Sequence, residues 1–324
     1  MDDLLNMLAD AEFVSGEEIS RRLGVTRAAV WKRMEALREQ GFVIESAGKK
    51  GYHLVKPCDS LLPVFVKRGL ATKWAGQQQM LYSESMTSTN IVLKQAAESG
   101  AAHGTVALCE EQTAGRGRRG RNWVSPKGQG LWVSLLLRPT LPPDRAQLIT
   151  FAAAIAMAEA VEKETGLEIH IKWPNDLVLQ GKKVCGILLE LSGDVETIAY
   201  VVVGTGLNIG EQAYPPELES SAVSLQAALG HKAERAPILR SYLTAMEKYM
   251  DSLTQEGLPG ILQAYERKSC TLGRAVRVTG GGEEFVGAAI GLDENGALLV
   301  KLEDGAIRRV LAGDVSVRGV MGYV

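Results

Sequence analysis

Cysteine and histidine are scarce in this chain of 324 residues. The four cysteines, Cys58, Cys109, Cys185 and Cys270, lie far apart, and no two stand at C-x-x-C spacing. That argues against both a disulfide framework and a zinc knuckle. The four histidines are scattered and none pairs at metal-ligand spacing, so no protein-held metal site is expected. No apolar run approaches the ~18 residues of a membrane span. The start, Met1-Asp2-Asp3, lacks the basic-then-apolar pattern of a signal peptide. A cytoplasmic protein without a membrane anchor is the expectation. With 46% hydrophobic and 23% charged residues the composition is that of a soluble globular protein. The length calls for two or three domains rather than one core.

A net charge of −2 conceals an uneven distribution. Residues 1–19 carry six acids and no Lys or Arg, whereas residues 20–56 carry nine bases against three acids. Such asymmetry suits contact with a phosphate backbone. The spacing of Leu4, Leu5 and Leu8 predicts a first helix over 2–11. Ser15 with Glu18 forms a capping-box signal for a second helix, which carries Ile19 and Leu23 and stops at Gly24. Thr26 caps a third, Arg27 to Gln40, ended by Gly41. Val30, Met34 and Leu37 share its inner face, while Ala28, Lys32 and Glu35 point outward, flanked by Arg27 and Trp31. Phe42–Glu45 and Tyr52–Val55 read as strands around a basic glycine turn holding Lys49 and Lys50. Residues 1–62 therefore read as a winged helix-turn-helix. The candidate DNA contacts are Thr26, Arg27, Ala28, Trp31, Lys32, Lys49 and Lys50. A winged helix that binds protein is the alternative; basic residues on both the outer helix face and the wing tip favour DNA.

Residues 63–270 follow an α+β pattern with a mixed or antiparallel sheet. Strands are predicted at Thr105–Glu110, Leu131–Leu137, Glu168–Lys172, Val184–Leu191 and Ile198–Val203. Helices are predicted to start near Thr89, Arg145 and Ile238, the Ala-rich Arg145–Thr165 stretch being a buried one. Ser88-Thr89-Asn90 opens a helix, either as a plain cap or with hydroxyl and amide groups facing a ligand. Gly115, Gly117 and Gly120 satisfy G-x-G-x-x-G, but the helix a dinucleotide site requires does not follow. The loop instead holds Arg116, Arg118, Arg119 and Arg121 without an acid, and ends in Trp123. Glycines admit an anion close to the backbone and guanidinium groups fork onto phosphate oxygens, so this reads as an anion-binding loop. Lys172-Trp173-Pro174-Asn175-Asp176 closes a strand, as a ligand-contacting end or as a simple Asn-Asp turn. It forms a hairpin with the strand after Gly181-Lys182-Lys183, which returns Lys183 toward Asn175 and Asp176. Gly204-Thr205-Gly206-Leu207-Asn208 ends a further strand with glycines that let a ligand approach.

Taken together and in this order, these segments resemble the biotin–protein ligases, nearest the bifunctional bacterial kind that doubles as the biotin operon repressor. The likeness runs over almost the whole chain. It implies a central mixed-sheet, class II synthetase-like ligase domain. The activity it implies is ATP-dependent adenylation of biotin, then transfer to a lysine of the biotin carboxyl carrier protein of acetyl-CoA carboxylase or of other biotin carboxylases. By the same resemblance Ser88, Thr89, Asn90 and Gln112, with Gly115, Arg116, Gly117, Arg118, Lys183 and Gly186, hold biotin. Arg118, Arg119, Arg121, Trp123, Asn175 and Asn208 hold ATP and the adenylate. Lys183, Arg118 and Asp176 are the catalytic candidates, with Mg2+ on the phosphates. Thr113 and Cys185 depart from the family pattern at tolerant positions, and Glu211–Ser224 reads as a second ligand-responsive loop.

From Thr271 the pattern changes to short strands at Arg274–Thr279, Glu284–Leu292, Ala297–Leu302 and Ala306–Leu311, split by glycine turns. A small SH3-like β-barrel over 271–324 is expected. Operators read by such arms are palindromic, so the resemblance also implies a homodimer on operator DNA, favoured by the adenylate. Two rivals differ in class. A lipoate–protein ligase would lack the winged helix and the Gly-Arg loop, and a ligand-sensing repressor would need no Lys183.

Overall fold

The computed structural model describes residues 2–39, 42–55, 59–255, 259–280, 283–312, 315–319 and 323. The expected end of the third helix at Gln40 and Gly41, and Cys58, lie outside the described residues. The chain divides into two compact units, residues 1–69 and 70–324.

The first unit runs α1 (Asp2–Asp10), α2 (Gly16–Leu23), α3 (Arg27–Glu39), β1 (Ile44–Ser46), β2 (Tyr52–Leu54) and α4 (Pro63–Lys67). Each helix start has a local cause. The Ser15 Oγ accepts the Glu18 N–H at 3.1 Å, and the Thr26 Oγ1 accepts the Ala29 N–H at 3.2 Å. The Glu18 carboxylate turns to Arg21 and Arg22. Leu4, Leu8, Ile19, Val30, Met34, Leu37, Ile44 and Leu54 make one core, and Phe65 of α4 joins it, so this unit extends past residue 62. Burial of each such side chain contributes about 1.5–3 kcal/mol. β1 and β2 pair antiparallel with Ile44 opposite Leu54. Gly51 sits at φ 101°, and a Cβ there would lie 2.2 Å from the Val14 carbonyl oxygen, which accepts the Tyr52 N–H. Glycine is required where the ribbon presses on that backbone.

The second unit continues with β3 (Met80–Met86), α5 (Thr89–Glu98), β4 (Val106–Gln112), β5 (Gly130–Leu137), α6 (Ala146–Thr165), β6 (His170–Lys172), β7 (Asp176–Leu179), β8 (Lys182–Gly193), β9 (Ile198–Asn208), α7 (Leu225–Leu229), α8 (Arg235–Gln255) and α9 (Pro259–Lys268). Five more strands follow: β10 (Ala275–Gly280), β11 (Glu283–Leu292), β12 (Leu298–Lys301), β13 (Ile307–Val310) and β14 (Val315–Gly319). The main sheet has seven strands in the order β3-β4-β5-β9-β8-β7-β6. β3 and β4 are parallel, joined through α5; the other neighbours are antiparallel. Ala107 of β4, Leu136 of β5 and Val202 of β9 pack against Leu93 and Ala97 of α5. α6 is apolar and buried over most of Ala146–Val161, as expected of a helix enclosed by other elements, and only its last turn, with Lys163 and Glu164, is exposed. No helix among the described residues is long and apolar enough to cross a membrane.

The C-terminal strands form a second, antiparallel sheet in the order β13-β12-β11-β10-β14. The fifth strand, β14, was not foreseen in the sequence. It pairs with β10, Val278 opposite Val317. Another difference concerns β9. The Gly204–Asn208 segment continues this strand instead of ending it, because its backbone is paired on both sides, to β5 and to β8. Its glycines answer side chains lying on the sheet. A Cβ on Gly204 would be 2.1 Å from Asn90 Oδ1, and one on Gly206 2.4 Å from Trp123 Nε1.

Candidate active site

A cavity of about 590 Å³ opens in the second unit. Its lining comes from the N-terminus of α5, the Gly-Arg loop after β4, the β6–β7 corner, β8, β9, the loop before α7 and the C-terminal sheet. Cations dominate it. Arg116, Arg118, Arg119, Arg121, Lys172, Lys183 and Arg318 face Asp176 and Glu217 as the lining carboxylates. A cavity with this balance attracts a polyanion.

The β6–β7–β8 hairpin builds the charged centre. Lys172 stands opposite Asp176 in the β6–β7 register, and Asp176 opposite Gly186 in the β7–β8 register. Lys183 Nζ reaches Asp176 Oδ1 at 2.6 Å, and the Tyr323 hydroxyl donates to Asp176 Oδ2 at 2.7 Å. Burial by itself would raise the Asp176 pKa; the Lys183 ammonium, the Tyr323 hydroxyl and Lys172 overcome it and hold the carboxyl below the usual range. Burial pulls the Lys172 ammonium down to about 8, with Lys183 and Arg318 acting the same way and Asp176 opposing. Arg118 donates to Asn175 Oδ1 at 2.8 Å and also to the Ala312 carbonyl, tying the loop to the corner and to the segment that follows β13. Asn175 is fixed in turn by its own donation to the Ile187 carbonyl at 2.7 Å. The Trp173–Pro174 bond is cis, and Trp173 donates its indole N–H to the Gly296 carbonyl at 3.1 Å.

The other end of the cavity is lined mainly by neutral polar side chains, Ser88, Thr89, Asn90 and Gln112. Ser88 occupies the N-cap of α5 without a side-chain capping bond; the Gln112 carbonyl oxygen takes the Thr89 N–H instead, at 2.9 Å. Gln112 donates onward to Ser125 Oγ at 2.8 Å. Ser134 contacts both Thr89 Oγ1, at 2.7 Å, and Asn90 Oδ1, at 2.6 Å. Asn90 donates to Glu190 at 2.8 Å, and Lys94 and Arg116 pair with the same carboxylate. Trp123 lies across the glycines of β8 and β9: a Cβ on Gly186 would be 2.9 Å from its ring, and Lys183 Nζ sits 5.1 Å from the ring centre. The Trp123 indole N–H is buried and has no hydrogen-bond partner among the described residues.

The structure thus gathers Ser88, Thr89, Asn90, Gln112, Arg116, Gly117, Arg118, Arg119, Arg121, Trp123, Asn175, Asp176, Lys183, Gly186 and Asn208 around one cavity. Gly115 stands behind that wall, accepting the Trp123 N–H at 2.9 Å. Asn208 donates to the Val223 carbonyl at 3.3 Å, and Lys183 exchanges backbone bonds with Ser221 and Val223, so the Glu211–Ser224 loop is tied to the floor. Ser134, Glu190 and Tyr323 were not singled out in the sequence, and Lys172 was read there only as the first residue of the motif that holds Asp176. The partners of the first three lie 44 to 147 residues away in contacts that no local spacing signals. In the first unit, Thr26, Arg27, Ala28, Lys32 and Lys50 are exposed, and Trp31 is 59% exposed for a large apolar side chain. The Lys49 side chain lies outside the description.

Comparison with known proteins adds a second line. The biotin/lipoate A/B protein ligase family matches residues 82–208, the biotin protein ligase C terminal domain residues 271–318, and a helix-turn-helix domain residues 1–53. The chain is 36% identical over 318 residues to the bifunctional ligase/repressor BirA of Bacillus subtilis, covering 97% of each chain. It is 33% identical over 317 residues to that of Escherichia coli, covering 97% of this chain and 96% of the relative. The chain belongs to the biotin–protein ligase family. Among solved structures, the biotin protein ligase from Aquifex aeolicus in complex with biotin and ATP matches with a TM-score of 0.66 at 30% identity, over 75% of this chain and 99% of that one. The family's helix-turn-helix match falls within the first unit, and its two remaining matches fall on the seven-stranded and the C-terminal sheet.

Proposed function

We propose that this chain adenylates biotin with ATP, passes it to a lysine of an acceptor protein, and represses biotin genes through its winged helix. The observation that carries the ligase reading is the cationic cavity in which Lys183 and Arg118 converge on Asp176 and Asn175.

A biotin carboxylate attacking the α-phosphorus of ATP is an anion meeting an anion. The new bond is P–O, the bond to the β-phosphate breaks, and pyrophosphate leaves. Charge rises on the α-phosphate oxygens as this happens. Fixed cations placed there in a cavity shielded from water lower that barrier. Lys183 is held by Asp176 and Trp123 and Arg118 by Asn175, so neither needs to reorganise. Magnesium arrives with the nucleotide as part of the substrate and neutralises the leaving pyrophosphate. The neutral polar end formed by Ser88, Thr89, Asn90 and Gln112 suits the biotin ring system, whose polar atoms need hydrogen bonds in a buried place. Trp123 offers its ring to the adenine, with Asn208 beside it. In the second step the neutral acceptor amine attacks the acyl carbon, AMP leaves, and Asp176 orients the amine or takes its proton. The acceptor is the biotin carboxyl carrier protein of a biotin-dependent carboxylase. Residues 271–324 form a third domain that closes one side of the site.

For the repressor, Thr26, Arg27, Ala28, Trp31 and Lys32 enter the major groove, and Lys49 and Lys50 meet phosphate. Two copies read a palindromic operator as a cytoplasmic homodimer. The adenylate favours that dimer with a coupling of about 1–3 kcal/mol.

One assay tests the ligase reading: incubation with ATP, magnesium, an apo-carboxyl carrier domain and either labelled biotin or labelled lipoate. Label transferred from biotin alone is expected. Label from lipoate, or none at all, would sink the reading.

A further inference from the structure

The charged centre contains a cation that the mechanism above does not use. Lys172 is buried, lines the cavity and stands opposite Asp176 across the β6–β7 pair. An ammonium beside a buried carboxylate is expected to collapse onto it. Here the ammonium lies over the Tyr323 ring instead, 3.4 Å from its centre. The same tyrosine supplies the hydroxyl that occupies Asp176 Oδ2 at 2.7 Å, while Lys183 occupies Oδ1 at 2.6 Å. Both carboxylate oxygens are thereby engaged, and the aromatic face offers Lys172 another seat. Burial and the neighbouring Asp176 push the Tyr323 phenol well up, so its hydroxyl stays protonated and remains a donor.

We infer that Tyr323 is a positioning residue that holds Lys172 apart from Asp176, leaving its ammonium directed to the phosphates of the bound nucleotide. Without the hydroxyl, Asp176 Oδ2 loses its donor and draws Lys172 off the ring into an ion pair. The phosphates then lose one cation although every cation is still present. The inference rests on the adenylation reading above.

The test is single-turnover pyrophosphate release from ATP and biotin, without acceptor, in four full-length proteins: the unaltered chain, Tyr323→Phe, Lys172→Met and the double variant. Tyr323→Phe keeps the ring and removes the hydroxyl. Its rate constant at saturating substrates is expected to fall about 10-fold, the scale of one hydrogen bond to a charged group. The biotin concentration for half-maximal rate should stay within about twofold, because the neutral polar end is untouched. Lys172→Met is expected to fall at least as far, and adding Tyr323→Phe to it should change nothing more, within about twofold. A hydroxyl that merely supported the fold would cost the same in both backgrounds. A Tyr323→Phe rate equal to that of the unaltered chain, or an undiminished penalty beside Lys172→Met, overturns the inference. If Tyr323→Phe does not fold, Lys172→Met alone decides: a rate equal to that of the unaltered chain overturns it. No release by the unaltered chain would defeat the adenylation reading itself, a distinguishable outcome.

Discussion

Two glycines of the same loop should differ sharply in how far alanine impairs the enzyme. At Gly115 an added Cβ would lie 2.3 Å from the Trp123 carbonyl oxygen and 2.9 Å from Ser125 Oγ. The nearer neighbour is backbone, bound back to Gly115 through the Trp123 N–H at 2.9 Å, so no side-chain rotation relieves the clash. Real Cβ contacts do not fall below 3.0 Å, so the strand at Trp123 must retreat by about 0.7 Å or more. That carries Trp123 and the arginines between the two points away from Lys183. A misplacement of this size at a reacting centre costs about 10²-fold. At Gly120, φ is 69° but a Cβ would meet nothing within 4 Å. Alanine there carries only a left-handed backbone cost of about 1–2 kcal/mol, confined to an exposed turn where Arg119 already sits at φ 58°. Single-turnover pyrophosphate release should therefore drop by about 10²-fold in Gly115→Ala and by less than about threefold in Gly120→Ala, with calorimetry reporting the biotin affinity of each. Equal rates in the two variants, or a Gly120→Ala slower than Gly115→Ala, would refute the steric argument.

Other consequences can be measured separately. Arg235 pairs with Glu110 at 2.6 Å where both side chains are buried, so Arg235→Met leaves that carboxylate without its counter-charge, with the Tyr82 hydroxyl at 3.3 Å still donating to it, and should cost about 3–5 kcal/mol, roughly 6–20 °C in Tm by scanning fluorimetry. Restoring most of that loss by adding Glu110→Leu would support the argument, and a loss under about 1 kcal/mol would contradict it. Lys172 is charged below its depressed pKa of about 8 and neutral above it, so pyrophosphate release should fall as pH rises through 8. Lys172→Arg keeps its charge and should lose that alkaline limb; a limb unchanged in the variant would count against Lys172 as its source. Lys50 is exposed at the wing tip. Lys50→Ala should weaken operator binding and lower the salt slope by about one, leaving biotin transfer unchanged. An unchanged slope would remove Lys50 from the phosphate contacts.

Local chemistry made much of this molecule readable from its sequence. Ser15 and Thr26 cap the helices their spacing predicts, because a cap requires only a hydroxyl three residues before the N–H it accepts. The β6–β8 hairpin could be read because Asp176 and Lys183 are close in sequence, and their 2.6 Å contact follows from the return of one strand. β3 was missed because its residues are only half buried or exposed at the sheet edge, so Met80–Met86 shows neither a continuous apolar run nor a clean alternation. α8 begins at Arg235 rather than near Ile238, since its first turn is set by the buried Arg235–Glu110 pair, a contact 125 residues apart. Tyr323 and Glu190 were invisible for the same reason. Each acts on the site through a partner on a distant segment, and a single carboxylate or phenol carries no periodic signal.

Lys183 carries the account's central claim and can be removed singly. Rapid-quench measurement of pyrophosphate release by Lys183→Ala, at saturating biotin and magnesium-ATP, should show a rate at least about 10²-fold below that of the unaltered chain, with the fold intact by circular dichroism. Release at the unaltered rate would mean that this ammonium does not stabilise the charge developing on the α-phosphate, and the proposed chemistry would have to be abandoned.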